Sequence, residues 1–464
     1  MKSGLVKSGT AAPADGLEAP RRYWAWATII VTLTLAVLDG TIANVALPTI
    51  AADFHASPSI SIWIVNGYQL AIVMTLLPFA SLGEIHGYRK VYLAGVAVFT
   101  IASLGCVFSR SLEMLTAARI IQGFGAAGLM SVNTALLRYV VPKEKLGSAI
   151  GLNALVVAAA STIGPTLAGF ILSVLDWPWL FAINLPLGIL AVAMGWRSLP
   201  DSDLADRRFD LISATLSAVT IGLVITTIDS IGHEMSALAV AAQAFFCVVA
   251  AVLLVRRELG VPRPLLPLDL LRIPVFTLSI ATSIASFTAQ ILAYVSLPFT
   301  FQTIFGFPPV DVGLLMMPWP LAVGIAAPIS GRLSDRYSPG ILGGIGLIML
   351  TAGLLLLGML PAHPAPADIV WRMVLCGAGF GLFQTPNNRT MITAAPKVRS
   401  GAASGMLGTA RLTGQSVGAA LVALLLGRLG IHGAIGALYL GAVFALVAAV
   451  ISFSRTGRFT PQLT

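Results

Sequence analysis

Apolar runs of about 20 residues recur from end to end of this 464-residue chain. Each is long enough to cross a hydrocarbon core of about 30 Å as a helix. None shows the alternation of a barrel strand, so the spans are helices: in lipid only helices and closed barrels satisfy every backbone group. Just 10% of residues are charged, where soluble domains carry about a quarter. The chain reads as an all-α integral membrane protein in contact with the lipid bilayer. Fourteen spans are expected, at about 23–50, 60–82, 91–108, 113–138, 147–173, 179–197, 211–230, 236–255, 274–300, 310–330, 340–360, 369–393, 401–426 and 433–454.

Charge orients them. With the N-terminus in the cytoplasm, the loops on that side carry Arg89, Lys90, Arg138, Lys143, Lys145, Arg197, Arg207, Arg208, Arg256, Arg257, Arg263, Arg272, Arg332, Arg336, Lys397, Arg399, Arg455 and Arg458. The opposite loops keep only Arg110, Arg372 and Arg428, so the positive-inside rule puts both termini in the cytoplasm. The net charge of +9 is spread over these loops, which argues against a nucleic-acid partner. Residues 1–22, polar and holding Lys2, Lys7, Arg21 and Arg22, read as a disordered cytoplasmic tail, and residues 455–464 as a second tail.

The chain repeats itself. ASLGEIHGYRK from Ala80 aligns with GRLSDRYSPG from Gly331, RIIQGFGAAG from Arg119 with RMVLCGAGFG from Arg372, and GSAIG from Gly147 with GAASG from Gly401. The separations are nearly equal, so residues 23–200 and 263–454 are expected to be two parallel six-helix bundles, with residues 201–262 supplying two extra spans between them.

Polar residues inside spans are costly, about 2.5 to 3.5 kcal/mol for a charge at mid-bilayer, and so are functional candidates. Asp39, in LAVLDGTIANVALP, is the only acid well inside a span; Asp229 sits at the outer end of span seven. Asp39 is either a proton or cation site or a structural carboxylate satisfied by Thr41, Asn44 or a neighbouring helix. Arg119 lies at a similar depth on span four, so the two are expected to pair, with Gln122 adding a hydrogen bond; the pair is either a coupling element or a permanent structural bridge. Gln384, Asn387, Asn388 and Arg389 on span twelve, and Arg411 and Gln415 on span thirteen, are expected to face a central cavity. Arg411 is a candidate counter-ion for an anionic group or for Asp39. Trp63, Tyr68, Gln69, Phe287, Gln290 and Tyr294 are candidate pocket residues for an amphipathic compound, with core packing the alternative for each aromatic.

Several motifs carry a family resemblance along nearly the whole chain. LDGTIANVALP at 38–48, ARIIQGFGAAG at 118–128, STIGPTLAGF at 161–170 and WPWLFAINLPLG at 177–188 resemble the fourteen-span drug:proton antiporters of the major facilitator superfamily. The resemblance implies that spans one and four line a cavity and that Arg119 takes part in proton movement. It also implies a conformational switch of Glu84, Gly87 and Arg89 in the first loop motif, Gly331, Asp335 and Arg336 in the second, and the Gly164-Pro165 bend. Ala80, Glu84 and Ile85 depart from the loop motif GxLaDRxGRK, as Ala160 and Ala168 do from the span-five motif, whereas the second loop copy is intact.

Cys106, Cys247 and Cys376 lie in spans without metal or disulfide spacing, and the histidines at 55, 86, 233, 363 and 432 fall in loops or at span ends. No lysine follows a glycine, so the chain has no GxxxxGK[ST] phosphate loop. The expectation is a non-enzymatic, cofactor-free, monomeric secondary transporter of the bacterial inner membrane. It would export amphipathic, cationic or zwitterionic drugs or toxic compounds in exchange for protons. A dedicated metabolite or ion carrier is the alternative, and a membrane sensor or enzyme a weaker one.

Overall fold

The computed structural model describes residues 16–456, apart from 207–208, 233–234, 262–265 and 397–398. Lys2, Lys7, Arg207, Arg208, His233, Arg263, Lys397 and Arg458 therefore lie outside the described residues, as do residues 1–15 and 457–464 of the two expected tails. Among the described residues there is no strand. Among the described residues thirteen runs are long and apolar enough to cross a membrane, and the last of them, Gly405–Ser454, is divided by the turn at Gly430–His432, so that fourteen helical spans follow one another. They are α1 (Arg21–Asp53), α2 (Pro58–His86), α3 (Tyr88–Val107), α4 (Leu112–Val140), α5 (Lys143–Val174), α6 (Trp179–Ser198) and α7 (Leu211–Gly232). There follow α8 (Ala237–Gly260), α9 (Pro274–Ile304), α10 (Pro309–Leu333), α11 (Pro339–Gly358), α12 (Pro366–Ala394), α13 (Ser400–Leu429) and α14 (Gly433–Ser454). An even number puts both ends on one side, here called the terminus side; the other is the far side.

The boundaries have local causes. Pro274, Pro309, Pro339 and Pro366 open α9 to α12, where a missing N–H costs nothing. Ser57 and Ser111 cap α2 and α4 by accepting from Ile60 N and Met114 N.

Between helices already in lipid there is little hydrophobic drive to associate, so close packing carries the fold. A Cβ at Gly95 on α3 would stand 2.8 Å from the Gly125 carbonyl oxygen on α4, and one at Gly379 on α12 would stand 2.5 Å from that of Gly346 on α11. The same backbone contact thus occurs at 95 and 125 and again at 346 and 379. Gly123 meets Tyr68 and Ala71 on α2, just as Gly377 meets Trp319 and Ala322 on α10. These paired contacts reproduce in space the separation read from the loop motifs.

α7 and α8 pack on each other, and α7 also touches α2 and α13, which stand on opposite sides of the repeat. On the far side the Trp63 indole of α2 donates to Asp229 of α7 at 3.0 Å, and Arg428 of α13 donates to the Ile231 carbonyl at 2.7 Å. Part of the expected N-terminal tail is ordered: Leu17 N donates to Val140 O, and Arg21 to the carbonyls of Ser198 and Leu199. Unpaired carbonyls at the ends of α4 and α6 offer acceptors there.

Candidate functional site

Asp39 and Arg119 meet in the N-terminal half. Arg119 Nη1 lies 2.5 Å from Asp39 Oδ2, with side-chain exposures of 0% and 1%. Asp39 Oδ1 accepts from Gln122 Nε2 at 2.9 Å and from Asn184 Nδ2 at 2.8 Å. Gln122 also accepts from Arg119 at 2.5 Å and donates to Ser103 Oγ at 2.8 Å. Arg119 Nε reaches the Ile64 carbonyl of α2 at 3.1 Å, and its guanidinium stacks on the Tyr68 ring, 4.1 Å from the centroid. One ion pair therefore ties α1, α2, α3, α4 and α6. A buried pair persists only with such additional hydrogen bonds, because desolvating two charges costs several kcal/mol each.

Asn184 and Ser103 were missed by sequence reasoning. Asn184 sits in the quoted WPWLFAINLPLG motif, where an amide inside an apolar run was the available signal. Tyr68 belongs to this cluster rather than to a pocket wall. Trp63 is turned to Asp229 of α7, and Phe287 packs edge-on against Phe380 at 5.3 Å. Tyr294 lies 5.1 Å from Trp319. Gln69 and Gln290 are buried.

The second half does not copy the charge pair. Arg372, which aligns with Arg119, pairs within its own helix with Asp368 at 3.0 Å, near the far end of α12. Arg455, expected in the cytoplasmic tail, is instead buried: it donates to Ser279 at 2.7 Å, Asn387 at 2.6 Å and Ser452 at 2.8 Å. This corrects the cavity placement of Asn387, whose amide also donates to Ser283 Oγ at 2.8 Å. Arg389, too, leaves the cavity set, being exposed and paired with Asp335 at 2.5 Å.

The loop motifs hold different partners. Arg89 pairs with Asp201 at 3.1 Å and donates to the Trp196 carbonyl, so the first copy ties α3 to the end of α6. Glu84 is exposed, and its carbonyl accepts from Ala205 N at 2.7 Å. Gly87 sits at φ +98°, a left-handed conformation that admits glycine without strain. In the second copy Asp335 takes Arg389, Arg336 is exposed, and Gly331 lies beside Thr385.

α5 continues through Gly164 and Pro165 and is wedged between the repeats. Gly164 abuts Thr41 of α1; Gly313 of α10 abuts the Pro165 carbonyl; and a Cβ at Gly169 would stand 2.6 Å from Pro309 O. Gln384, Asn388, Arg411 and Gln415 are half-buried on α12 and α13. The oxygens of Asp39 are engaged by Arg119, Gln122 and Asn184, and no ion pair among the described residues joins Asp39 to Arg411. At the loop before α7, burial opposes ionisation of Asp210, but the Ser213 N–H and Arg257 outweigh it and hold the carboxyl below the usual carboxylate range. The described residues include no group of three or more His, Cys, Asp or Glu suited to a metal.

A family model described as Major Facilitator Superfamily matches residues 29–419. The chain is 54% identical to "Uncharacterized transporter YebQ" of Escherichia coli (strain K12), over 95% of this chain and 97% of that protein. It is 31% identical to "Riboflavin transporter RibZ" of Clostridioides difficile (strain 630), over 84% and 85%. It is 32% identical to "Multidrug resistance protein Stp" of Mycobacterium tuberculosis (strain CDC 1551 / Oshkosh), over 85% and 74%.

Proposed function

The chain belongs to the major facilitator superfamily, a multi-pass membrane transporter, and on that premise we propose that it exports amphipathic compounds in exchange for protons. The observation that carries this reading is the sealed Asp39–Arg119 pair at 2.5 Å. Protonating Asp39 removes the charge that holds Arg119, and Arg119 in turn holds α2 through Ile64 and Tyr68. Proton arrival is thus converted into loosening of α1 from α2 and α4. Return of the carboxylate to its ionised form rebuilds the cluster. One proton moved through 100 mV supplies about 2.3 kcal/mol, enough for uphill movement of a small solute.

The moving parts in this reading are the bundles 23–200 and 263–454, rocking about the α5–α10 contact at Gly164, Pro165 and Gly313, with the Arg89 and Asp335 loops as brakes on the terminus side. That side is the cytoplasm, the membrane is a bacterial inner membrane, and the protein works as a monomer. Gln384, Asn388, Arg411 and Gln415 line the route of the cargo. Multidrug export is supported by the resemblance to Stp. A carrier for one metabolite is the second reading, favoured by the likeness to a riboflavin transporter. The cationic cargo expected from sequence finds, among the described residues of the expected cavity set, no acidic side chain to receive it once Asp39 is paired, so amphipathic character alone is retained here.

The test is export from proteoliposomes under an imposed pH gradient with a panel of amphipathic dyes. Gradient-driven accumulation that Asp39→Asn abolishes is expected. Transport indifferent to the gradient would overturn proton exchange.

A further inference from the structure

We propose that Arg411 reads a negatively charged or carbonyl-rich group on the cargo, making aromatic organic anions and zwitterions, rather than lipophilic cations, the preferred substrates. The inference rests on the transporter reading above and deepens it.

Arg411 lies 11 residues into α13 from Ser400, about 16 Å along a helix rising about 1.5 Å per residue. Its direction follows from its neighbours. Ala410, Gly414 and Gly418 face α9: Thr288 Oγ1 donates to Gly414 O at 3.1 Å, and a Cβ at Gly418 would stand 2.8 Å from Thr288 O. Gly405, Gly408 and Leu412 face α2, the first two beside Leu77 and Leu76, the third in a cluster with Tyr68 and Ile72. At about 100° per residue Arg411 falls in the arc between those two faces, and Gln415 lies one turn further along it. On α12, Gln384 likewise falls between the residues meeting α10 (Gly377, Gly381) and those meeting α9 (Phe380, Asn387), whereas Asn388 falls on the α10-facing arc itself, between Gly377 and Gly381. The half-buried side chains of Arg411, Gln415 and Gln384 border the gap between the halves.

The Nε atoms of Arg257, Arg372, Arg399 and Arg455 are also buried without a partner, but each of those guanidiniums is held through its Nη atoms; what sets Arg411 apart is that none of its nitrogens has a partner among the described residues. Its Nε is buried without a hydrogen-bond partner, and among the described residues no carboxylate pairs with it. The acids of α9 to α14 are Asp311, Asp335 and Asp368, all near helix ends. Asp335 is taken by Arg389 and Asp368 by Arg372. Asp39 is taken by Arg119, so that pair is neutral and Arg411 fixes the sign of the gap. Arg455 supplies the contrast, since there the fold surrounds a buried guanidinium with three oxygen acceptors. A desolvated cation left open gains most from an incoming anion or carbonyl oxygen, and a lipophilic cation beside it adds repulsion.

The test compares two xanthene dyes of one ring system and opposite charge, fluorescein and a cationic rhodamine ester. Binding to the purified full chain is read by fluorescence polarisation, with no gradient applied. Wild type should bind fluorescein at least about tenfold more tightly than the ester, and Arg411→Gln should lose about tenfold or more for fluorescein alone. Arg411→Lys should keep part of the affinity, and Arg411→Glu should reverse the preference. Equal or tighter binding of the cation by wild type would overturn the inference, as would unchanged fluorescein binding in a monodisperse Arg411→Gln protein. Should that variant not fold, the wild-type preference decides alone. Because no gradient is present, failure here leaves proton exchange standing, and failure of proton exchange leaves this result readable.

Discussion

Gln302 on α9 donates to the Val45 carbonyl of α1 at 2.9 Å, joining the two halves on the far side. It sits in the π-helical turn Thr300–Ile304 that follows Pro298, and it also accepts from Thr49 Oγ1 at 3.2 Å. A π turn swings a side chain out of the regular helical register, and such turns gather at functional places. Removing the amide with Gln302→Ala should open this contact by about 1 kcal/mol, roughly fivefold in the local equilibrium. Hydrogen–deuterium exchange over 45–52 should rise accordingly; unchanged protection there would mean that apolar packing alone closes the far side.

Asp39 and Arg119 lend themselves to a double-mutant cycle. Either Asp39→Asn or Arg119→Gln leaves an uncompensated buried charge and should cost about 3–5 kcal/mol. The double variant should cost less than the two losses together, because neither charge is then orphaned. Thermal unfolding followed by size-exclusion chromatography measures this. A double variant that regains stability without regaining gradient-driven export separates the coupling role from the structural one; simply additive losses would count against direct pairing.

The depth of these residues was readable in the sequence, and their direction was not. Hydropathy gives how far a residue lies along a span, so Asp39 and Arg119 could be matched by position alone. Which face a residue occupies depends on neighbours far away in sequence. That is why hydropathy offers Trp63 to a pocket and Asn387 to the cavity, whereas the folded chain turns the first to Asp229 and the second to Arg455. Arg455 itself follows the last apolar run, where a cation reads as solvated; only the oxygens of Ser279, Asn387 and Ser452 make its burial tolerable. Asn184 was hidden similarly, since one amide beside Pro186 looks like a turn residue until Asp39 is placed opposite.

The Trp63–Asp229 bond ties the extra helix α7 to α2, while Arg428 ties α13 to the same end of α7. Because α7 touches helices from both halves, it acts as a strap across the far side. Trp63→Phe keeps the ring and deletes the donor, so it should cost about 1–2 kcal/mol. Exchange protection over 223–231 should fall with the rest of the bundle unchanged. Loss of protection throughout α2 instead would show that the indole supports packing rather than the strap.

Asp210 gives a pH dependence of known sign. Its carboxyl is held below the usual range in the folded protein, so its contribution is present above the unfolded value of about 3.9 and fades as pH falls through the folded one. Asp210→Asn should therefore be less stable than wild type at pH 7, with the gap narrowing as the pH falls below the unfolded value. A gap that persists in acid would assign the effect to the Ser213 cap geometry rather than to charge.

The contact between Gly313 and the Pro165 carbonyl bears on how the halves can move at all. A Cβ at Gly313 would also stand 3.1 Å from Pro165 C and 3.2 Å from Thr166 Cα, so three backbone atoms block it and none can rotate away. Pro165 cannot supply an N–H to the helix, which leaves α5 easier to bend here than elsewhere. Gly313→Ala should push α10 off α5 and cost about 1–3 kcal/mol, in the range of an overpacked contact. If this contact is the pivot, export should slow while dye binding in detergent is kept, because the route is intact and only the exchange between states is hindered. Gly324→Ala, whose Cβ would meet only Ala158 at 3.8 Å lower on the same pair of helices, should leave both intact. Equal loss of transport in the two variants would place the pivot elsewhere along α5 and α10.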